Sequence, residues 1–395
     1  MPTVSTLDTT MPLAARADAA PRATAVLSWP IWIAVAATTA TLLGIEWDIA
    51  WHRSIGRDSF WSPPHVAIYL GGILAALSSV YLIFSTTFGG SQAARAASVR
   101  VWGFRGPLGA FTAAWGGVAM IASAPFDDWW HNAYGLDVRI LSPPHTLLAI
   151  GIFCVCLGSL LLVGAARNRS PERAAPRVLF LYLSGLILSL VLTFVMEYTS
   201  RAVLHSATPY RVLALGVPLV LIGFGRASGS RWGATAIAGV YSAVYLALLW
   251  LFPFVPATPK LGPVYVQVTH LIPPGFPLAV IVPALLIDLA DARLKDRSPW
   301  LRAFAAGAIY FVSFLVAEWN LASFLITPAA ENWFFGSGYH DYNSRRTWAE
   351  FRHAFHPLEP TRLLFFYQLG LGFAVSLISA RLALWWADAL GKLRR

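Results

Sequence analysis

Charge is what this 395-residue chain has least of: 12% of its residues are Asp, Glu, Lys or Arg, about half the share usual in soluble domains. That deficit excludes an ordinary water-soluble globule. Cysteine is almost missing, with Cys154 and Cys156 the only two. Two residues apart on a helix, they point about 200° away from each other. Neither a disulfide between them nor joint chelation of one ion is favoured, and both read as small apolar residues. Four methionines are few for a conduit that carries Cu(I) on soft sulfur ligands. Residues 1–25 lack a charged start followed at once by an apolar stretch, so no cleaved leader is expected there. Rich in Ala, Thr and Pro, they read as a flexible cytoplasmic tail.

What the chain has instead is apolar length. It is 57% hydrophobic, with a mean hydropathy of +0.60. Runs of about 20 apolar residues, enough to cross a bilayer, recur near 28–47, 63–86, 106–125, 143–166, 177–197, 210–225, 231–253, 263–287, 301–326 and 362–385. Helices are the fold that satisfies every backbone group of such a run in lipid. The expected fold is all-α: a polytopic membrane bundle of about ten transmembrane helices, with the lipid bilayer as its first partner. The net charge of +10 then needs no nucleic-acid partner, because the cations collect at one set of loops. Arg95, Arg100 and Arg105, then Arg167, Arg169, Arg173 and Arg177, then Arg226 and Arg231, then Arg293, Lys295, Arg297 and Arg302 are examples. By the positive-inside rule these loops and both termini face the cytoplasm. The basic linker 167–177 separates a four-helix half, 26–166, from a six-helix half, 178–395, whose outer loop is 327–361. Gly71-Gly72 and Gly116-Gly117 allow close helix approach.

Two of the outer loops carry nearly the same polar sequence. Trp47–His65 reads WDIAWHRSIGRDSFWSPPH, and Phe126–His145 reads FDDWWHNAYGLDVRILSPPH. Asp48 aligns with Asp127, Trp51 with Trp130, His52 with His131, Gly56 with Gly135 and Asp58 with Asp137. After one inserted residue the Ser-Pro-Pro-His at 62–65 aligns with that at 142–145. Two helical hairpins are thus a tandem parallel duplication, and what was duplicated is polar chemistry. Asp48 and His52, four apart, share one helix face. Ser62 suits an N-cap with Pro63 and Pro64 behind it, so His65 falls in the first turn of the next helix, beside them. The same reasoning gathers Asp127, His131 and His145.

A carboxylate and two imidazoles suit non-haem iron, copper or zinc. An Asp at a helix centre costs about 2.5–3.5 kcal/mol on insertion scales, less near the interface. A bound divalent cation would offset that cost in both copies. Asp58 and Asp137 are expected behind the ligands as imidazole acceptors, Arg57 as a partner of Asp58 or Asp48, and Trp51 and Trp130 as apolar walls. The plainer alternative is a set of interfacial hydrogen bonds and salt bridges without metal. Glu350, His353 and His356 read as an amphipathic connector. Glu197, His205, His270 and Glu318 read as polar packing contacts, or as the lining of a proton or substrate path.

The motif Asp-x3-His-x12-His with Arg-Asp and a Pro-x-His helix start, carried here by Asp48, His52, Arg57, Asp58, Pro63 and His65, resembles the membrane C subunit of the copper membrane monooxygenases, the particulate methane and ammonia monooxygenases. Asp127, His131 and His145 match the spacing of that family's second motif, with Asp127 where the family has Asn. The resemblance covers residues 40–170, and the family subunit is shorter and works with partner subunits. It implies copper at both sets and, beyond that, an O2-dependent oxidation of a small apolar substrate. A copper transporter or delivery protein and a non-catalytic membrane assembly protein are the competing readings.

Overall fold

The computed structural model describes residues 27–135, 142–275, 278–344 and 353–394. The tail 1–25, Asp137 and Glu350 lie outside the described residues. The main helices are α1 (Trp29–Ser54), α2 (Pro63–Phe84), α3 (Leu108–Tyr134), α4 (Pro143–Arg169), α5 (Ala174–Phe194), α6 (Thr208–Pro218), α7 (Gly233–Leu251), α8 (Ile281–Leu294), α9 (Pro299–Leu325) and α10 (Arg362–Lys392). A small hairpin, β1 (Val99–Val101) against β2 (Phe104–Gly106), joins α2 to α3. Pro218 lacks the N–H that would continue the usual ladder, and the chain passes through a π turn, Leu219–Phe224, before ending at Ala227.

Among the described residues nine helices are long and apolar enough to cross a bilayer. The run at 263–287, expected to be a further span, is not one. Described residues between 255 and 280 follow no regular helix, and α8 that follows has 14 residues. At 1.5 Å per residue this is about 21 Å, short of the ~30 Å hydrocarbon core. Pro256, Pro263, Pro273 and Pro274 remove the donors a continuous helix needs. Short pairings replace them, such as Ala257 N–H to Thr269 O at 3.1 Å and Leu271 N–H to Val255 O at 2.9 Å.

α2 is inside-out by the standards of a soluble protein. On α2 the large apolar residues Val66, Leu70, Ile73, Leu77 and Val80 are exposed, while Gly71, Gly72, Ala75, Ser78 and Ser79 are buried. Small residues let backbones meet where no water drives association. At the α3–α4 crossing, a Cβ on Gly116 would lie 2.6 Å from Gly151 O, and one on Gly109 would lie 2.4 Å from Gly158 O. The expected close approach at Gly72 and Gly117 is also present, with Gly72 O 2.8 Å from a Cβ built on Gly117.

Three carboxylates from distant segments cap helix starts. Glu359 accepts from Ala207 N, Thr208 N and Thr208 Oγ1 at the start of α6. Asp288 accepts from Ala234 N, Thr235 N and Thr235 Oγ1 at the start of α7. Glu318, fully buried, accepts from Ala279 N on the approach to α8 at 2.5 Å. Glu359 and Asp288 meet orphan N–H groups and the positive end of a helix dipole, which offsets the cost of burying the charge.

Candidate metal centres

Each four-residue repeat of Asp and His sits on the last turns of a helix, and the partner His opens the next helix. At the first hairpin, α1 presents Asp48 and His52, and α2 begins Pro63, Pro64, His65. Between them Gly56 takes φ +81°, a left-handed turn that a side chain would strain. His65 Nε2 lies 3.3 Å from Asp48 Oδ1 and 3.2 Å from Asp58 Oδ2. His52 Nε2 lies 3.8 Å from Asp48 Oδ2 and 3.4 Å from Asp58 Oδ2. Asp58 therefore faces Nε2 of both imidazoles directly instead of standing behind them. Donor atoms of Asp48, Asp58 and His65 all lie within 4.8 Å of one another. Burial pushes the Asp58 carboxyl up, but contact with His52 and His65 outweighs it and holds the group well below the usual carboxylate range.

Ser62 sits at the N-cap of α2, yet its hydroxyl turns back to accept from Ser59 N at 2.7 Å. Arg57 is exposed, and no ion pair joins it to Asp48 or Asp58. Its carbonyl instead accepts from Trp51 Nε1 at 2.9 Å. Trp51 packs beside Ile55, Ala257 and Leu271, so it does form an apolar wall.

At the second hairpin, Asp127 Oδ2 lies 3.5 Å from His131 Nε2, and Asp127 Oδ1 lies 3.5 Å from His145 Nε2. These three also form a group within 4.8 Å. Ser142 caps α4 as expected, accepting from His145 N at 3.3 Å. His131 Nδ1 lies 3.1 Å from the carbonyl of Gly135, whose φ is +87°. A hydrogen bond from Nδ1–H to that carbonyl leaves the Nε2 lone pair facing Asp127, the arrangement a metal-binding imidazole needs. The two hairpins are neighbours: the Tyr69 hydroxyl on α2 is within electrostatic reach of Asp48 and Asp58 on one side and Asp127 on the other.

The His–Asp separations can be set beside those of a direct pair and of a metal site. A charge-assisted N–H···O bond closes to about 2.7–2.9 Å, and within this chain Arg53 Nε reaches Asp341 at 2.5 Å. The His–Asp separations are 3.2–3.8 Å. Ligands about 2.0–2.2 Å from one tetrahedral ion are about 3.3–3.6 Å apart. Four of the six separations fall in that range. Asp48 Oδ1 is buried with no hydrogen bond of its own, an orphan acceptor that a cation would satisfy. His65 Nδ1 is likewise buried and without a partner, so the usual support behind a ligand imidazole is missing there.

The last turn of α1 is held by segments far along the chain. Tyr342 N–H donates to Arg53 O at 3.1 Å, Lys260 N–H donates to Ile55 O at 2.9 Å, and Ile272 N–H donates to Ser54 Oγ at 2.6 Å. A Cβ at Gly56 would meet the Tyr342 hydroxyl at 2.1 Å. The Arg53 guanidinium holds both Asp341 and the Pro273 carbonyl.

The remaining singled-out residues do not converge. His205 stacks between Trp319 and Phe355, with centroids 3.9 and 3.5 Å away, and its Nε2 meets Trp319 O and Ser323 Oγ. Glu197 is exposed, Glu318 caps the approach to α8, and His270 packs against Tyr339. His353 turns to Ile326 O and Glu331. One buried acid escaped the motif search. Glu46 on α1 is fully buried, and its Oε1 accepts from Thr193 at 2.5 Å and Tyr245 at 2.8 Å. An ionisable residue inside an apolar run was the available signal.

The chain matches no family model, no curated protein and no solved structure, so the chemistry of these residues carries the functional reading.

Proposed function

We propose that this is an integral membrane metalloprotein that holds two copper ions, one in each hairpin, on the outer face of a bacterial-type cell membrane. Asp48, His52 and His65 with Asp58 would hold one ion; Asp127, His131 and His145 would hold the other. The observation that supports this most directly is the spacing of the donors, which fits the edges of a coordination shell and not those of closed ion pairs. The outward placement follows from the arginine-rich loops, which lie at the other ends of α2 and α4. The duplication of the hairpins accounts for two sets of the same kind.

The sets differ in composition: Asp48, Asp58 and His65 gather in the first, with His52 outside that group, and Asp127, His131 and His145 gather in the second. Three donors leave a position for an outside ligand. We assign the second set as the reactive one. A redox metal held there supplies one-electron chemistry toward O2, and by the sequence resemblance the reaction is a monooxygenase-like oxidation of a small apolar substrate arriving from the bilayer. Electrons would come from quinol or a partner subunit. A second reading is copper delivery, in which ions are stored and handed on without oxidation.

Elemental analysis with paramagnetic resonance on the detergent-purified full chain tests the assignment. Two copper ions per chain are expected, with His65→Ala removing one signal and His145→Ala the other. Copper-dependent O2 consumption lost in His145→Ala supports oxidation; copper transfer to an acceptor without O2 consumption supports delivery. Absence of stoichiometric metal, or unchanged content in both variants, overturns the metalloprotein reading.

A further inference from the structure

The end of the bundle away from the metal sets contains a second built site. α4 begins at the turn of His145, and at its far end Asn168 Nδ2 donates to Leu390 O and Leu393 O of the α10 terminus, both at 2.7 Å. One turn from there Asp388 meets Arg226. Beside Arg226 lies a cavity of about 120 Å3 between the ends of α6, α8, α9 and α10, about four water volumes at ~30 Å3 each. Arg226, Arg231 and Arg302 line it, with Asp288 and Asp291.

Three guanidinium groups face two carboxylates along the wall, and Asp388 meets Arg226 at 3.9 Å from outside the lining. Both oxygens of Asp288 accept from the start of α7. Asp291 is shared by Arg302 and, at 3.6 Å, Arg226. Arg302 is 9% exposed, and its Nε is buried with no acceptor. Arg231 lies over the Trp232 ring and brings a third cation. The rest of the wall is largely apolar, including Leu221, Ile287 and Leu384. Three guanidinium groups on one wall, one of them with a buried Nε that has no acceptor among the described residues, suit an oxyanion, and Arg is the side chain that matches phosphate. An apolar wall suits an amphiphile better than a free ion.

We propose that this cavity binds the phosphate group of an anionic phospholipid, its glycerol and acyl portion lying on the apolar wall. Basic pockets between helix ends recognise such headgroups.

Native mass spectrometry of the detergent-purified full chain tests this with phosphatidylglycerol, phosphatidylcholine and inorganic phosphate as separate probes. Each cation near an anionic headgroup contributes about a fivefold factor, so R226Q/R231Q should weaken phosphatidylglycerol retention roughly thirtyfold. Arg293→Gln, outside the cavity, should leave it unchanged, and an unaltered melting temperature in the double variant shows that the fold is kept. Equal retention of phosphatidylcholine, or phosphatidylglycerol retention indifferent to R226Q/R231Q, overturns the site. Displacement of the lipid by equimolar inorganic phosphate overturns the lipid assignment in favour of a soluble anion.

Discussion

Gly151→Ala should empty the second metal set while leaving the first intact. Gly151 sits on α4 where it crosses α3, and an added Cβ would lie 2.9 Å from Gly116 O, 2.9 Å from Met120 N and 2.8 Å from Met120 Cγ. Two of these are backbone atoms that cannot rotate away. Ordinary contact starts at 3.4 Å, so the helices must part by about 0.5 Å locally. Asp127 and His131 ride on α3 and His145 on α4, so the 3.5 Å edge between Asp127 and His145 widens to about 4.0 Å. One ion with bonds of ~2.2 Å spans that distance only at a ligand–metal–ligand angle of roughly 130°, far from tetrahedral. Overpacking of this size costs about 1–3 kcal/mol in stability, and misplaced support for a metal ligand costs about 10–100-fold in affinity. A metal titration of the purified variant should therefore show one tight ion per chain where the parent shows two. Gly239→Ala is the control: its Cβ meets nothing within 4 Å, and helix propensity alone makes it neutral or stabilising by up to about 1 kcal/mol. Two ions bound by Gly151→Ala with parent affinity would refute the link between this crossing and the site.

Removing the Glu359 carboxylate with Glu359→Ala leaves Ala207 N, Thr208 N and Thr208 Oγ1 without their acceptor; about 2 kcal/mol of stability should be lost, read as a lower melting temperature in detergent. Burial lowers the pKa of His205, and the hydrogen bond to Trp319 O only partly opposes this. The folded state therefore binds a proton less readily than the unfolded chain, so this stability is complete above about pH 6.5 and is lost as pH falls below it. His205→Gln should flatten the acid side of a melting-temperature profile; an unchanged slope would remove His205 from the account.

Apolar length was legible in the residues wherever the run could also close its own hydrogen bonds. The run at 263–287 had the apolar content of a span and not the donors, because Pro273 and Pro274 interrupt it, and hydropathy does not see a missing N–H. The meeting of Asp48 with His65 and of Asp127 with His145 was legible too, since spacing on a helix and a short loop settle it locally. The place of Asp58 was not. Its direction depends on the left-handed turn at Gly56 and on Tyr342 pressing against that turn from the far end of the chain. Glu46 stayed hidden for the same reason: its partners, Thr193 and Tyr245, are 147 and 199 residues away.

The enclosure of α1's last turn has a consequence for biosynthesis. Asp48, His52, Asp58 and His65 lie within the first 65 residues, yet the last turn of α1, which carries His52, is held by Lys260, Ile272 and Tyr342. A chain made from its N-terminus has all of these side chains long before it has the segments that hold that turn in place. The second set depends on a cap and a glycine turn within its own hairpin, so it takes shape early in translation. Of the two pockets, the one encoded first is the one finished last, and a chain cut short before Lys260 would carry its ligands without their shape.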